Sequence, residues 1–269
     1  MRDRPIGVFD SGLGGLTVVR ELRRALPKED FIYFGDTGRV PYGSRSNETI
    51  ARYTLQDIRF LCGFDIKQIV VACGTASSVL AKLAEAPAEA PILRIIEPTA
   101  RLACRTTRNG RIGVIGTAAT ISNRPFQRAI AALRPEAQVF SQSCPLFVPL
   151  AECGFSKGEC ARIAAERYLA GLREQQVDTL ILGCTHYPLL KEAIAAVMGP
   201  EVALVDAGEA VALELREQLE EKGLLSLRER AGRTEYYVSD GIENFGGMGE
   251  EILGEPVLGQ VKRIDIEAY

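Results

Sequence analysis

Tryptophan is absent from this sequence and histidine occurs once, at His186. A lone histidine, with neither CxxC nor HExxH spacing around it, leaves no ligand set for a structural or catalytic metal. The lack of CxxC also removes a disulfide-exchange reading. A Ser-His-Asp hydrolase would need a nucleophile elbow after a strand, and none of the expected strands ends in one. No GxxxxGK phosphate loop occurs. No apolar run approaches the roughly 18 residues of a membrane span. The first residues, MRDRPIGVFD, reach Asp10 before any signal-peptide apolar region develops, so the expected location is the cytosol. The formal net charge of −3 excludes a nucleic-acid surface built on bulk positive potential. The one basic stretch, Arg101–Arg111, reads as the solvated face of a helix. The seven cysteines are an odd number without a regular framework. In a reducing compartment they read as small buried hydrophobes or reactive thiols.

Short β-branched runs alternate with longer amphipathic segments across the 269 residues, the pattern of an α/β fold with mostly parallel strands. Strands are expected at Ile6–Phe9, Phe31–Phe34, Gln68–Ala72, Ile92–Ile95, Arg111–Ile115, Gln138–Ser141, Thr179–Leu182 and Ala203–Val205. Further strands fall at Tyr236–Ser239 and near Gln260–Ile266. Helices are expected at Leu16–Leu26, Glu48–Cys62, Ala76–Ala84, Arg124–Leu133, Lys157–Glu174, Pro188–Val197 and Gly208–Lys222, with a turn-rich connection over 86–91.

The chain echoes itself. One strand ends in DSGLGG (Asp10–Gly15) and a later one in GTAAT (Gly116–Thr120). Another ends in ACGTAS (Ala72–Ser77) and a later one in GCTHYP (Gly183–Pro188). Ligands bind at the carboxyl edge of open α/β sheets, so two facing halves would gather all four loops around one cleft. The first loop fails the dinucleotide spacing, because Thr17 stands where a third glycine belongs. It suits a carboxylate better, and Asp10 beside it reads equally well as a helix cap.

Cys73 and Cys184 each follow a strand, each precede a threonine, and each sit before an expected helix start. A buried free cysteine is the ordinary reading of either alone. As a pair in corresponding loops they suit removal of a proton from a carbon acid on one face and its replacement on the other. A helix N-terminus would bring such thiols toward neutral pKa. The cysteines at 62, 104, 144, 153 and 160 lack this placement and read as packing residues. His186, two positions from Cys184, could support that thiol by holding a proton near neutral pH. The turn-rich segment Gly35–Ser46 could line the same cleft through its backbone and Tyr42.

The stretches 6–18, 34–46, 70–77, 144–154, 183–190 and 239–241, in that order, resemble the glutamate racemases over essentially the whole chain. That resemblance implies two similar α/β domains with the substrate between them, the first from 1–97 plus 210–269 and the second from 98–209. It implies an amino-acid substrate, two thiols, no pyridoxal phosphate or other cofactor, no metal, no nucleic-acid or membrane partner, and a homodimer. Cys73 would act on the D-enantiomer with Asp10 in support, and Cys184 on the L-enantiomer with Glu152 and His186. Substrate contacts would come from Asp10, Ser11, Tyr42, Gly43, Gly74, Thr75, Thr117, Thr120, Thr185 and His186. Where this family usually reads Cys-Asn-Thr, this chain has Cys73-Gly74-Thr75. The lost amide predicts weaker substrate affinity, a compensating water or a shifted side-chain preference. Cys153 also stands where the family commonly has an acid. Two other outcomes of the same cleft are a racemase for aspartate or another small acidic amino acid, and a regulatory binding protein.

Overall fold

The computed structural model describes residues 1–83, 88–257 and 260–269. The end of one expected helix, Ala84, and the first two residues of the connection 86–91 lie outside them. In chain order the elements are β1 (Ile6–Asp10), α1 (Leu16–Ala25), β2 (Phe31–Gly35), α2 (Asn47–Cys62), β3 (Gln68–Val71), α3 (Gly74–Leu80) and β4 (Ile92–Arg94). Then come α4 (Ile96–Thr106), β5 (Arg111–Gly116), α5 (Ala118–Asn123), α6 (Pro125–Leu133), β6 (Gln138–Ser143), α7 (Phe147–Glu152), α8 (Glu159–Glu174) and β7 (Thr179–Leu182). The chain finishes with α9 (Lys191–Met198), β8 (Ala203–Asp206), α10 (Ala207–Glu221), β9 (Thr234–Val238), α11 (Ile242–Leu253) and β10 (Val261–Arg263).

Two sheets form, with strand orders β10-β9-β2-β1-β3-β4 and β6-β5-β7-β8. Every ladder among the described residues is parallel. Helices cover such sheets on both faces, which is why β1, β3 and β7 are apolar-rich and buried along their whole length. Four strands of the first sheet, β2-β1-β3-β4, repeat in the second as β6-β5-β7-β8. The loop echo in the sequence is thus a repeat of topology: β5 stands where β1 stands, and β7 where β3 stands.

Several expectations are corrected. The basic stretch is helical only to Thr106, and Arg111 opens β5. No α-helix starts directly after Cys184. A 3-10 turn over Tyr187–Leu190 intervenes, because Pro188 suits a first helical turn and leaves the α-helix to begin at Lys191. Cys62, Cys153 and Cys160 are exposed, so they are not packing residues. Each lies at a helix end or on an outward face, where the core does not reach. The last strand shortens to Val261–Arg263.

Candidate active site

The loops after β1, β2 and β3 meet those after β5 and β7 in a buried seam between the sheets. Asp10 closes β1 and is fully buried. Its Oδ2 accepts the Gly12 and Gly15 N–H groups, both at 3.1 Å, and its Oδ1 accepts the Thr185 hydroxyl at 3.2 Å. The carboxylate therefore both caps the turn ahead of α1 and ties the first half to the second. Burial pushes its pKa up, against the lowering effects of His186 and the two amides.

Cys73 caps α3, its sulfur accepting the Ala76 N–H at 3.4 Å and lying 3.5 Å from the Ser11 hydroxyl, to which it donates. Burial, then the charge of Asp10, pushes this thiol up to about 12. The expected lowering at a helix start is outweighed: one amide donor does not replace lost water. This favours the thiol at Cys73 in the unliganded fold, the form that delivers a proton. Asp10 acts on it through charge, since its own hydrogen bonds go elsewhere.

Cys184 follows β7 and is also buried. His186 Nδ1 lies 3.9 Å from its sulfur, and His186 Nε2 lies 3.1 Å from Glu152 Oε1 at the end of α7. Burial alone would lower this histidine. The bonds to Cys184 and Glu152 outweigh it and raise the imidazole to about 10. It is a cation at neutral pH, with an N–H for each neighbour.

Thr117 caps α5. Its hydroxyl lies 2.9 Å from that of Thr75, across the seam, and 3.0 Å from that of Thr120. Tyr42 is buried, and its hydroxyl is taken by Asp36 and by Asp57 at 2.9 Å. What this loop can offer the cleft is backbone, at Tyr42 and Gly43. Arg39 joins the same buried group through Asp36 at 2.6 Å and Asp57 at 3.3 Å. Burial and the neighbouring Asp36 hold the Asp57 carboxyl well above the usual range. Ser239 and Asp240 anchor this loop from behind, accepting from Gly38 N–H at 2.8 Å and from the Thr37 hydroxyl. Gly74 packs so tightly against the second half that a Cβ there would stand 2.4 Å from the Gly183 carbonyl oxygen. A side chain at 74 would require the Gly183 peptide or the Cys73–Thr75 turn to shift.

All thirteen residues expected at the site thus gather along one seam. Sequence reasoning missed the residues that join it from behind. Arg39 and Asp57 are ordinary charged residues on a loop and a helix. Thr17 donates to the Thr185 carbonyl at 2.9 Å, and Asn123 exchanges amide hydrogen bonds with Asn47. No local spacing marks such partners, which are 76 and 168 residues apart in the chain. Among the described residues, no group of three or more His, Cys, Asp and Glu could hold a metal ion. Nor is any helix there long and apolar enough to cross a membrane.

Two parallel α/β sheets meeting at their carboxyl edges around a buried seam are the architecture of an amino-acid racemase. The chain belongs to the Asp/Glu/Hydantoin racemase family, which it matches over residues 6–215. It is 49% identical to the glutamate racemase of Geobacter metallireducens over 98% of both chains. Its fold is similar to that of Francisella tularensis glutamate racemase in complex with D-glutamate, with TM-score 0.92, 35% identity and 100% of both chains covered. It is likewise similar to Thermus thermophilus glutamate racemase in complex with β-chloro-D-alanine, at TM-score 0.87 and 42% identity, over 100% of this chain and 99% of the other.

Proposed function

We propose that this protein interconverts L- and D-glutamate without a cofactor, using Cys73 and Cys184 as the two proton carriers. The observation that carries this reading is the placement of the two thiols. Each lies at the end of an equivalent strand, β3 or β7, in loops that touch across the seam. The full-length likeness to glutamate racemases supplies the substrate.

From the L side, Cys184 takes the α-proton, supported by His186 and Glu152, and Cys73 returns one to the opposite face. From the D side, the roles reverse. The intermediate carbanion puts its charge on the substrate carboxylate, so the barrier depends on donors already aimed there. The backbone N–H groups of Ser11, Gly43, Thr75 and Thr185 fill that role, with the Thr117 and Thr120 hydroxyls beside them. Asp10 faces the substrate ammonium, and Tyr42 and Gly74 present backbone to the same space. Closing the halves excludes water and strengthens each of these interactions. We place the domain bounds at 1–97 plus 210–269 and 98–209. We assign the chain to the cytoplasm as a homodimer, with D-glutamate as a building block for peptidoglycan.

Purified protein with no added cofactor should racemise glutamate, read by circular dichroism, in preference to aspartate. Cys73→Ser and Cys184→Ser should each lose racemisation by more than a thousandfold. Each should still eliminate HCl from one configuration of a β-chloro analogue, a step that needs only one base. Full racemisation by either variant excludes the two-thiol route.

A further inference from the structure

The first half meets the second through glycine. A Cβ on Gly43 would lie 2.6 Å from the Thr117 Cβ, and one on Gly74 would lie 2.4 Å from the Gly183 oxygen. The tightest approach to a titrating group is at Gly14, in the turn after β1. A Cβ there would lie 2.5 Å from His186 Nδ1, 2.6 Å from His186 Cε1 and 2.6 Å from Thr185 Oγ1. Nδ1 is the nitrogen that faces the Cys184 sulfur. Three residues on, the buried Thr17 hydroxyl lies 2.9 Å from both the Gly14 carbonyl and the Thr185 carbonyl. Asp10 takes the Thr185 hydroxyl from the same side. The segment Thr185–His186 belongs to the second half, yet its backbone, its hydroxyl and its imidazole all rest on one turn of the first.

We propose that Gly14 and Thr17 are positioning residues, forming a cradle that orients the His186 imidazole between Cys184 and Glu152. This rests on the function proposed above and deepens it. The cradle holds the imidazole of the Cys184 side alone, because Cys73 is held within the first half by Ser11 and Ala76, while its hold on Thr185 is felt from both sides. The bare α-carbon at 14 lets the Nδ1–Cε1 edge of the imidazole approach the turn closely, and the Thr17 hydroxyl fixes the height of the Thr185 peptide above it. Completing the L-side base therefore requires the halves to be docked, whereas the D-side thiol is assembled beforehand.

The experiment compares one-base chemistry on the two sides. Elimination of HCl from β-chloroglutamate balances with a single thiolate: sulfur takes the α-proton, the C–H electron pair forms the Cα–Cβ double bond, and chloride leaves. Thr17→Val keeps the shape of the side chain and removes its hydroxyl. It should slow elimination from the L-configured analogue about tenfold more than from the D-configured analogue, since any shift of the Thr185 N–H is shared by both. Thr17→Ser should restore the L-side rate. Gly14→Ala should cost the L side about a hundredfold and shift its pH profile, because the methyl displaces Nδ1. Gly171→Ala, on α8 with nothing within 4 Å of the new methyl, serves as the unchanged control.

Equal losses on both sides, or none, overturn the proposal. So does a Thr17→Val protein that fails to fold while Thr17→Ser folds, since the hydroxyl would then serve the fold alone. If Gly14→Ala does not fold, the Thr17 pair still decides. A wild-type protein that turns over neither glutamate enantiomer defeats the functional reading instead. The cradle is then judged on the same variant ratios with whichever β-chloro amino acid the wild type accepts.

Discussion

At the scale of single residues, burial decides the chemistry of this seam more than local helix geometry does. Cys73 occupies a helix N-cap, a position that lowers a thiol in water-accessible sites, and still rises to about 12 because its surroundings are dry and Asp10 is near. His186 goes the other way from most buried histidines. Without partners it would lose its proton, but a sulfur on one nitrogen and a carboxylate on the other raise it from 6.5 to about 10. That difference is a stability statement with a definite sign. The folded protein holds this proton more tightly than the unfolded chain. The stabilisation is complete below pH 6.5 and disappears as pH rises through about 10. Urea melts of wild type and His186→Asn should therefore differ most at pH 6 and progressively less toward pH 10. A difference independent of pH would show that the imidazole is neutral in the fold.

At the scale of elements, legibility followed periodicity. The buried parallel strands β1, β2, β3, β5 and β7 were readable within a residue or so, because an unbroken apolar run between turn residues has few other meanings. The helices α5, α7 and α11 were not, and their composition explains it. α5 and α7 have six residues each, too short to complete a hydrophobic stripe, and α7 carries Pro149. α11 contains Gly246, Gly247 and Gly249, each unfavourable in a helix interior, so tertiary packing of Phe245 and Ile252 overrides local preference there. Two of these glycines should respond oppositely to a methyl group. Gly247 is exposed with nothing within 4 Å, so Gly247→Ala should stabilise the protein by about 0.5–1 kcal/mol. At Gly249 a Cβ would meet Val257 Cγ2 at 2.5 Å, so Gly249→Ala should destabilise it by about 1–3 kcal/mol. Chemical denaturation of both variants checks the pair, and equal shifts would mean that α11 is not packed as described.

At the scale of the whole molecule, the internal echo foretold which loops would share a cleft, but nothing in the sequence foretold how the halves are fastened. The fastening is polar and distant in sequence. Asn123, at the end of α5 in the second half, gives and receives amide hydrogen bonds with Asn47 at 2.9 and 3.1 Å. It also donates to Ser78 at 3.1 Å and accepts from Lys82 at 2.8 Å, so one buried side chain answers three residues of the first half. Truncating it removes these bonds, but Asn47 and Lys82 are exposed and the buried Ser78 hydroxyl keeps its bond to the Thr75 carbonyl, so the cost is about 1 kcal/mol, at the low end for a lost buried partner. Part of that cost falls on closure rather than folding, because water can reach the partners once the halves separate. Asn123→Ala should therefore raise the KM for both enantiomers several-fold and increase the radius of gyration of the unliganded protein in small-angle scattering. Its kcat should change less, since none of the lost bonds touches either thiol. The equilibrium constant fixes the ratio of the two forward kcat/KM values in every variant, so the discriminating measurement is one-base elimination of HCl, which Asn123→Ala should slow equally from both configurations. That separates the seam's fastening from the cradle at Gly14 and Thr17, whose loss falls unequally on the two configurations. An unchanged KM with a lowered melting temperature would assign Asn123 to stability alone, and the halves would then be held by the β1 and β7 loops without it.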